Sequence, residues 1–193
     1  MTEGLIRTFI AIELPPELKT RLAGLRDALP IPSQAVKWVN PESMHLTIKF
    51  LGDTPLSQIP NIIKGLEEAA QVCHAFTLST TRIGTFPSLS SPKVIWLGLH
   101  GEIEKLNTLF AEVEKNISGL GFPAEKRDFA PHLTLGRLKE VAAKSDLQTA
   151  AESLKTAPPF PKTSFKASHI CLFQSQLLAA GPVYTRLAQI SLA

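Results

Sequence analysis

Two short strings, MHLTIKF at residues 44–50 and PHLTLGR at residues 131–137, constrain the fold of this chain more than any other feature. Both write His-Leu-Thr followed by an aliphatic residue, in a chain with five histidines among 193 residues. In an extended strand, alternate side chains point to opposite faces. His45, Thr47 and Lys49 then share one face of the first string, with Leu46, Ile48 and Phe50 on the other. In the second, His132 and Thr134 share a face and Leu133 and Leu135 lie opposite. The apolar face anchors each strand on a core, which leaves imidazole and hydroxyl presented together on the uncovered side.

The surroundings of the two strings repeat as well. Alternation predicts a strand over residues 7–14, and Pro15-Pro16 opens the helical pattern ELKTRLAGLRDAL, proline being well tolerated in a first helical turn. The turn-rich link PIPSQAVKWVNPES leads to a strand over residues 44–51, which Gly52-Asp53 ends. A helix follows with Ile59, Ile62, Ile63 and Leu66 on one side, then a strand over residues 76–83 and a loop, GTFPSLSSP. The order starts again with a strand over residues 93–100 and a helix carrying Ile103, Leu106, Leu109, Phe110 and Val113. The second His strand, the helical string AAKSDLQTAAESLK, and strands over 165–173 and 184–192 complete it. Strand, helix, His strand, helix, strand therefore occurs twice. This predicts an α+β fold in which residues 1–193 form one bilobal domain with duplicated units.

Composition narrows the partners. At 44% hydrophobic and 19% charged residues the chain reads as an ordinary globular domain. The first apolar stretch is interrupted by Arg7 and Glu13, and no stretch approaches the ~20 apolar residues that span a bilayer. No membrane partner, a cytoplasmic location and a monomer are the expectation. Cys73 and Cys171 stand singly without Cys-x-x-Cys spacing, which fits buried thiols rather than a disulfide or zinc site. The net charge of +3 permits an anionic ligand without specifying one. No run of like charges suits the wrapping of duplex nucleic acid.

Two facing strands would make a cleft holding two His and two Thr. Imidazole titrates at about pH 6.5, so one ring can accept a proton while the other donates one. That is the arrangement for concerted acid–base catalysis across a substrate, and hydrolysis of a strained phosphodiester suits it. Paired-His metal sites usually add carboxylate or Cys ligands, and none repeats with the motif, so neither metal nor cofactor is expected. Arg137 sits five residues after His132, on the wrong face of an ideal strand; a bend at Gly136 would bring it to the cleft. Lys49 can simply reach solvent. Phe9, Trp38 and Phe129 read as core or cleft wall, and His74, His100 and His169 as structural or surface residues.

RTFIAIELP, WVNPESMHLTIKFLGD, KVIWLGL, FAPHLTLGR and GPVYTRL together resemble the RNA 2′,3′-cyclic phosphodiesterases, long called 2′-5′ RNA ligases, within the two-histidine phosphoesterases. The resemblance runs from about residue 7 to residue 187. It implies two antiparallel sheets around a central cleft, and metal-independent opening of a terminal 2′,3′-cyclic phosphate of RNA to a 2′-phosphomonoester. It implies His45 as proton donor, His132 as proton acceptor, Thr47 and Thr134 as phosphate-holding residues, Arg137 as a phosphate contact and Phe9 as a residue near the bound nucleotide. One departure is visible: Asp128 stands where a proline is expected before Phe129. Ligation of RNA halves through a 2′-5′ bond, and non-catalytic binding of RNA ends or nucleotides, are the alternative readings.

Overall fold

The computed structural model describes residues 4–157, 159–178 and 181–193. In chain order the elements are β1 (Leu5–Glu13), α1 (Pro16–Ala28), β2 (Val36–Trp38), β3 (His45–Pro55), α2 (Ile59–Gln71), β4 (Phe76–Ser88) and β5 (Ser91–Gly101). They continue with α3 (Ile103–Ser118), β6 (His132–Leu138), α4 (Lys144–Lys155), β7 (Ser164–Ala167), β8 (His169–Leu178) and β9 (Gly181–Ser191). Among the described residues no helix is long and apolar enough to cross a membrane.

The strands run β7-β4-β5-β6-β3-β1-β8-β9, with β2 added along β6, and every pairing is antiparallel. The two expected sheets are the halves of this order, β7-β4-β5-β6 and β3-β1-β8-β9. They meet at a single residue pair, Leu46 opposite Leu133. These are the leucines of the two His-Leu-Thr strings, so the duplicated motifs lie side by side at the middle of the sheet.

One core joins the helices to one face of the sheet. Leu18, Leu22 and Leu25 of α1, Ile62 and Leu66 of α2, Leu106, Leu109, Val113 and Ile117 of α3, and Ala150 and Leu154 of α4 pack with Ile10, Leu46, Ile95 and Leu133. Spacing of three and four residues puts each helical set on one side of its helix. Each fully buried Leu or Ile contributes about 1.5–3 kcal/mol. A second, small cluster of Phe9, Ala11, Cys171 and Phe173 lies on the strand residues of opposite parity, the face the helices leave open.

The lobes differ from the sequence repeats in one respect. β4 closes the first repeat yet pairs with β5 of the second, and β8 closes the second yet pairs with β1 of the first. Each repeat thus completes the other's half-sheet. The expected single strand over 165–173 breaks at Ser168 for this reason: β7 pairs with β4 and β8 with β1, in opposite halves.

Three local expectations are corrected. The link before the first motif contains β2, which pairs Val36 with Leu138 and Trp38 with Gly136. β3 runs past Gly52 to Pro55, because Gly52, at φ 74°, absorbs an extra residue, Leu51, without ending the pairing with β1. The expected loop GTFPSLSSP is mostly hairpin: β4 and β5 pair out to Ser88 opposite Ser91, leaving Leu89 and Ser90 as the turn.

Candidate active site

The open face of the sheet at the β3–β6 junction holds both motifs. The Leu46–Leu133 pair fixes their register, which puts His45 level with Thr134 and Thr47 level with His132. The four side chains therefore occupy the corners of a quadrilateral with the two imidazoles on one diagonal. A group held at its centre has an imidazole on each of two opposite sides.

Both rings are oriented in the same way. A one-turn 3₁₀ helix, Pro41–Ser43, precedes β3; Asn40 caps it by accepting the Glu42 N–H at 3.1 Å, and Pro41 supplies the first helical position. This turn presents the Ser43 carbonyl to His45 Nδ1 at 2.8 Å. In the second copy the Ala130 carbonyl lies 2.7 Å from His132 Nδ1. A carbonyl only accepts, so Nδ1 carries the proton and donates it in both rings. Each Nε2 is left to bind or release a proton, with its ring held by the backbone two residues upstream.

Both motif strands carry a β-bulge three residues after the histidine. Ala11 faces Thr47 and Ile10 faces Lys49, so Ile48 is an extra residue of β3. Trp96 faces Thr134 and Ile95 faces Gly136, so Leu135 is an extra residue of β6. A bulge reverses the alternation beyond it and re-aims the side chains that follow. The fifth residue after each histidine thereby returns to the cleft face. In the second copy this residue is Arg137, which ideal strand parity had turned away; the bulge at Leu135 supplies the bend expected at Gly136. Its guanidinium is exposed, and its charge is felt at the Tyr184 phenol across the cleft.

In the first copy the fifth residue is Phe50. The expectation that it shares the face of Leu46 is corrected: it is 72% exposed, and its ring lies 6.1 Å from that of Phe9. The same bulge turns Lys49 inward. Far from reaching solvent, Lys49 is buried, donates to Glu114 Oε1 of α3 at 2.6 Å and to the Pro123 carbonyl at 2.8 Å, and has a side chain only 4% exposed.

Phe9 is core and cleft wall, as read from the sequence, and not a base contact. It lies in the cleft floor, but only 3% of its surface is exposed. His45 at 4.7 Å, Phe173 at 5.2 Å and Tyr184 at 4.9 Å cover its ring, which leaves no face for a nucleobase. Phe9 is the support beneath His45, and Phe50 is the exposed aromatic surface beside it. Trp38 and Phe129 are wall and core as expected: the Trp38 ring packs over Gly136, and Phe129 stacks on Phe110 at 4.3 Å.

The electrostatics of the first lobe follow from burial. Desolvation pulls the His45 imidazole below its ordinary range, opposed by the Ser43 carbonyl and aided by the charge of Lys19. Burial pushes the Cys171 thiol up to about 12, and the Glu13 carboxylate adds to the effect, so this cysteine is no thiolate nucleophile. Glu13 stands opposite His45 in the β1–β3 pairing and holds Arg186 at 2.6 Å. Burial also raises the Tyr184 phenol, partly offset by Arg137; the Tyr184 ring meets His45 edge-on at 5.3 Å. Sequence reasoning missed Tyr184, Arg186 and Phe50. Phe50 had a signal in its position five residues after a motif histidine, as Arg137 is after the other; Tyr184 and Arg186 lie in GPVYTRL, which carries the resemblance without assigning either to the cleft. Among the described residues no three His, Cys, Asp or Glu side chains gather as a metal-binding group.

Comparison with known proteins agrees with this architecture. The chain is 32% identical over 179 residues to a Methanocaldococcus jannaschii protein named RNA 2′,3′-cyclic phosphodiesterase, covering 93% of this chain and 96% of that one. A similarly named Thermotoga maritima protein is 31% identical, with 93% and 91% covered. Among solved structures, TT0787 of Thermus thermophilus superposes with a TM-score of 0.80 at 27% identity, covering 97% of this chain and 98% of that one. Escherichia coli LigT complexed with 3′-AMP also gives a TM-score of 0.80, at 25% identity and 98% and 99% coverage. The family model described as LigT like Phosphoesterase matches residues 12–96 and 97–184, and the chain belongs to that family.

Proposed function

We propose that this protein hydrolyses RNA 2′,3′-cyclic phosphate ends to 2′-phosphomonoesters, with His45 and His132 as acid and base and without a metal. The observation that carries this reading is the matched pair of Nδ1–carbonyl hydrogen bonds, which turns two Nε2 atoms toward one cleft. The names of the relatives supply the substrate class.

With the cyclic phosphate at the centre of the His–Thr quadrilateral, water enters beside one imidazole and the leaving oxygen departs beside the other. His132 Nε2 takes a proton from water as its oxygen bonds to phosphorus. The bond from phosphorus to O3′ breaks, and His45 Nε2–H protonates that oxygen. The products are a 2′-phosphate and a 3′-hydroxyl, and solvent returns the proton from His132 to His45. Attack and departure on opposite sides of phosphorus match the diagonal placement of the rings. Thr47 and Thr134 donate to the non-bridging oxygens from the other diagonal. Arg137, brought round by the bulge, adds a charge-assisted contact. Phe50 offers its exposed ring to the terminal base.

Incubating the protein with an RNA ending in 2′,3′-cyclic phosphate, in excess chelator, tests the reading directly. A 2′-phosphate end, distinguished from a 3′-phosphate by chromatography, is the expected product. A 3′-phosphate, or turnover only on adding a divalent cation, would refute it.

The donor role of His45 makes a further prediction. In the free protein burial disfavours the charged form of its ring. A donor must be protonated when it acts, and the anionic substrate has to supply the stabilisation that burial removes. Binding of a phosphate-bearing ligand is therefore expected to raise the His45 imidazole above its position in the free protein. NMR titration of the His45 ring should show the same upward move on saturation with 2′-AMP. A ring whose titration is unmoved by the nucleotide would transfer the donor role to His132.

A further inference from the structure

Beyond His132, on the side away from β3, the wall of the cleft is cut back. Gly98 faces His132 and Gly84 faces Trp96 in the strand pairing, so neither position adds a side chain to the open face. The Trp96 ring occupies the space this leaves: a Cβ at Gly84 would stand 2.3 Å from it, and one at Gly98 would stand 2.4 Å from Thr81 Oγ1. The result is a recess of about 310 Å³ lined by Thr81, Arg82, Phe86, Trp96, Pro131 and His132 among others.

The chemistry of this wall is specific. Phe86 lies 5.0 Å from Trp96 and meets the His132 ring edge-on at 5.1 Å, so an aromatic surface begins at the reacting centre and leads away from it. Arg82 is exposed and has no hydrogen bond or ion pair among the described residues. No carboxylate lines the recess. A free guanidinium beside packed aromatic rings is a combination by which proteins hold single-stranded nucleic acid. The size is at the lower end of small-molecule sites, enough for about one nucleoside.

The geometry points to a subsite for the nucleotide that precedes the cyclic-phosphate nucleotide in an RNA chain. Its base lies against the Phe86–Trp96 wall, and the phosphodiester joining the two nucleotides is held by Arg82. This inference rests on the proposed phosphodiesterase reading and adds to it a preference for RNA ends over mononucleotides, since a mononucleotide leaves the recess empty.

The test compares kcat/KM for a 2′,3′-cyclic mononucleotide with that for a short oligoribonucleotide bearing the same terminal nucleoside 2′,3′-cyclic phosphate. The wild-type protein should favour the oligonucleotide. Arg82→Gln should lower kcat/KM on the oligonucleotide roughly tenfold, Arg82→Glu should lower it further, and both should leave the mononucleotide within twofold. Loss of one phosphate contact on a single strand should also flatten the slope of log kcat/KM against log salt by about 0.7 for the oligonucleotide alone. An equal loss on both substrates would assign the recess to the terminal nucleotide, and no loss on either would leave it without a role in binding; both results overturn the subsite. Wild-type protein that turns over neither substrate would instead strike the hydrolase reading on which the subsite depends.

Discussion

Replacing either motif histidine with alanine is expected to lower turnover of a 2′,3′-cyclic phosphate end by about 10²–10⁴-fold, the usual worth of general acid–base catalysis. Both rings are partly exposed, so His45→Ala and His132→Ala should stay folded. The double variant should lose little more than either single one, because groups that act as a unit in one step are not additive. Near-wild-type turnover by either single variant would remove that histidine from the chemistry. The two variants should also differ in one respect. Phe9 and Tyr184 pack under and beside His45, with Phe173 stacked on Phe9, so removal of the imidazole opens a small space in an aromatic cluster. A drop of a few degrees in Tm is expected for His45→Ala alone.

The largest effect on stability is expected at Lys49. Its ammonium group is enclosed, and its partner Glu114 has a side chain 15% exposed. Lys49→Met removes the cation and leaves a carboxylate in a poorly hydrated site, a loss of about 3–5 kcal/mol. In a chain of this size that is a fall in Tm on the order of 10 °C. Replacing both partners, as in Lys49→Met with Glu114→Leu, should recover most of the loss, since a well-packed apolar pair of similar volume often matches a buried ion pair. Thermal unfolding of the three variants forms the comparison; a double variant no better than Lys49→Met would show that the pair's polar contacts matter more than its charges. Those contacts reach further than the pair. Lys49 also donates to the Pro123 carbonyl, and Glu114 Oε2 accepts the Glu125 N–H at 3.1 Å. The pair therefore fastens the strand of the first motif to the segment that leads into the second.

What could be read from the sequence depended on the range of the interaction. The pairing of His with Thr on one strand face was legible because alternation is local to five residues, as was α1 from Pro16 and its leucine spacing. The bulge that brings Arg137 to the cleft was not, because it exists only relative to β5, where Ile95 and Trp96 face Gly136 and Thr134. The same holds for Lys49 and Phe50 on the other motif strand. Tyr184 lies in GPVYTRL, one of the strings that carry the resemblance, but its contact with His45 could not be read there, because it requires β9 to lie beside β8, β8 beside β1, and β1 beside β3. Phe9 was readable as core or cleft wall from its place in β1. Its lack of an open face follows from three aromatic neighbours that come from two other strands and the motif itself.

The exchange of closing strands between the repeats has a consequence for how such a chain can be divided. A protein cut between β4 and β5 would yield two fragments, each holding a strand that belongs in the other's half-sheet and each with an open edge where its own should be. Neither fragment has a complete fold to adopt by itself. A single repeat could reach this architecture only as two identical chains trading their last strands about a twofold axis between Leu46 and Leu133. In such a pair both motif imidazoles would come from one histidine codon. Joining the copies into one chain is what lets His45 and His132 sit in different surroundings, one enclosed by aromatic rings and the other beside an open recess.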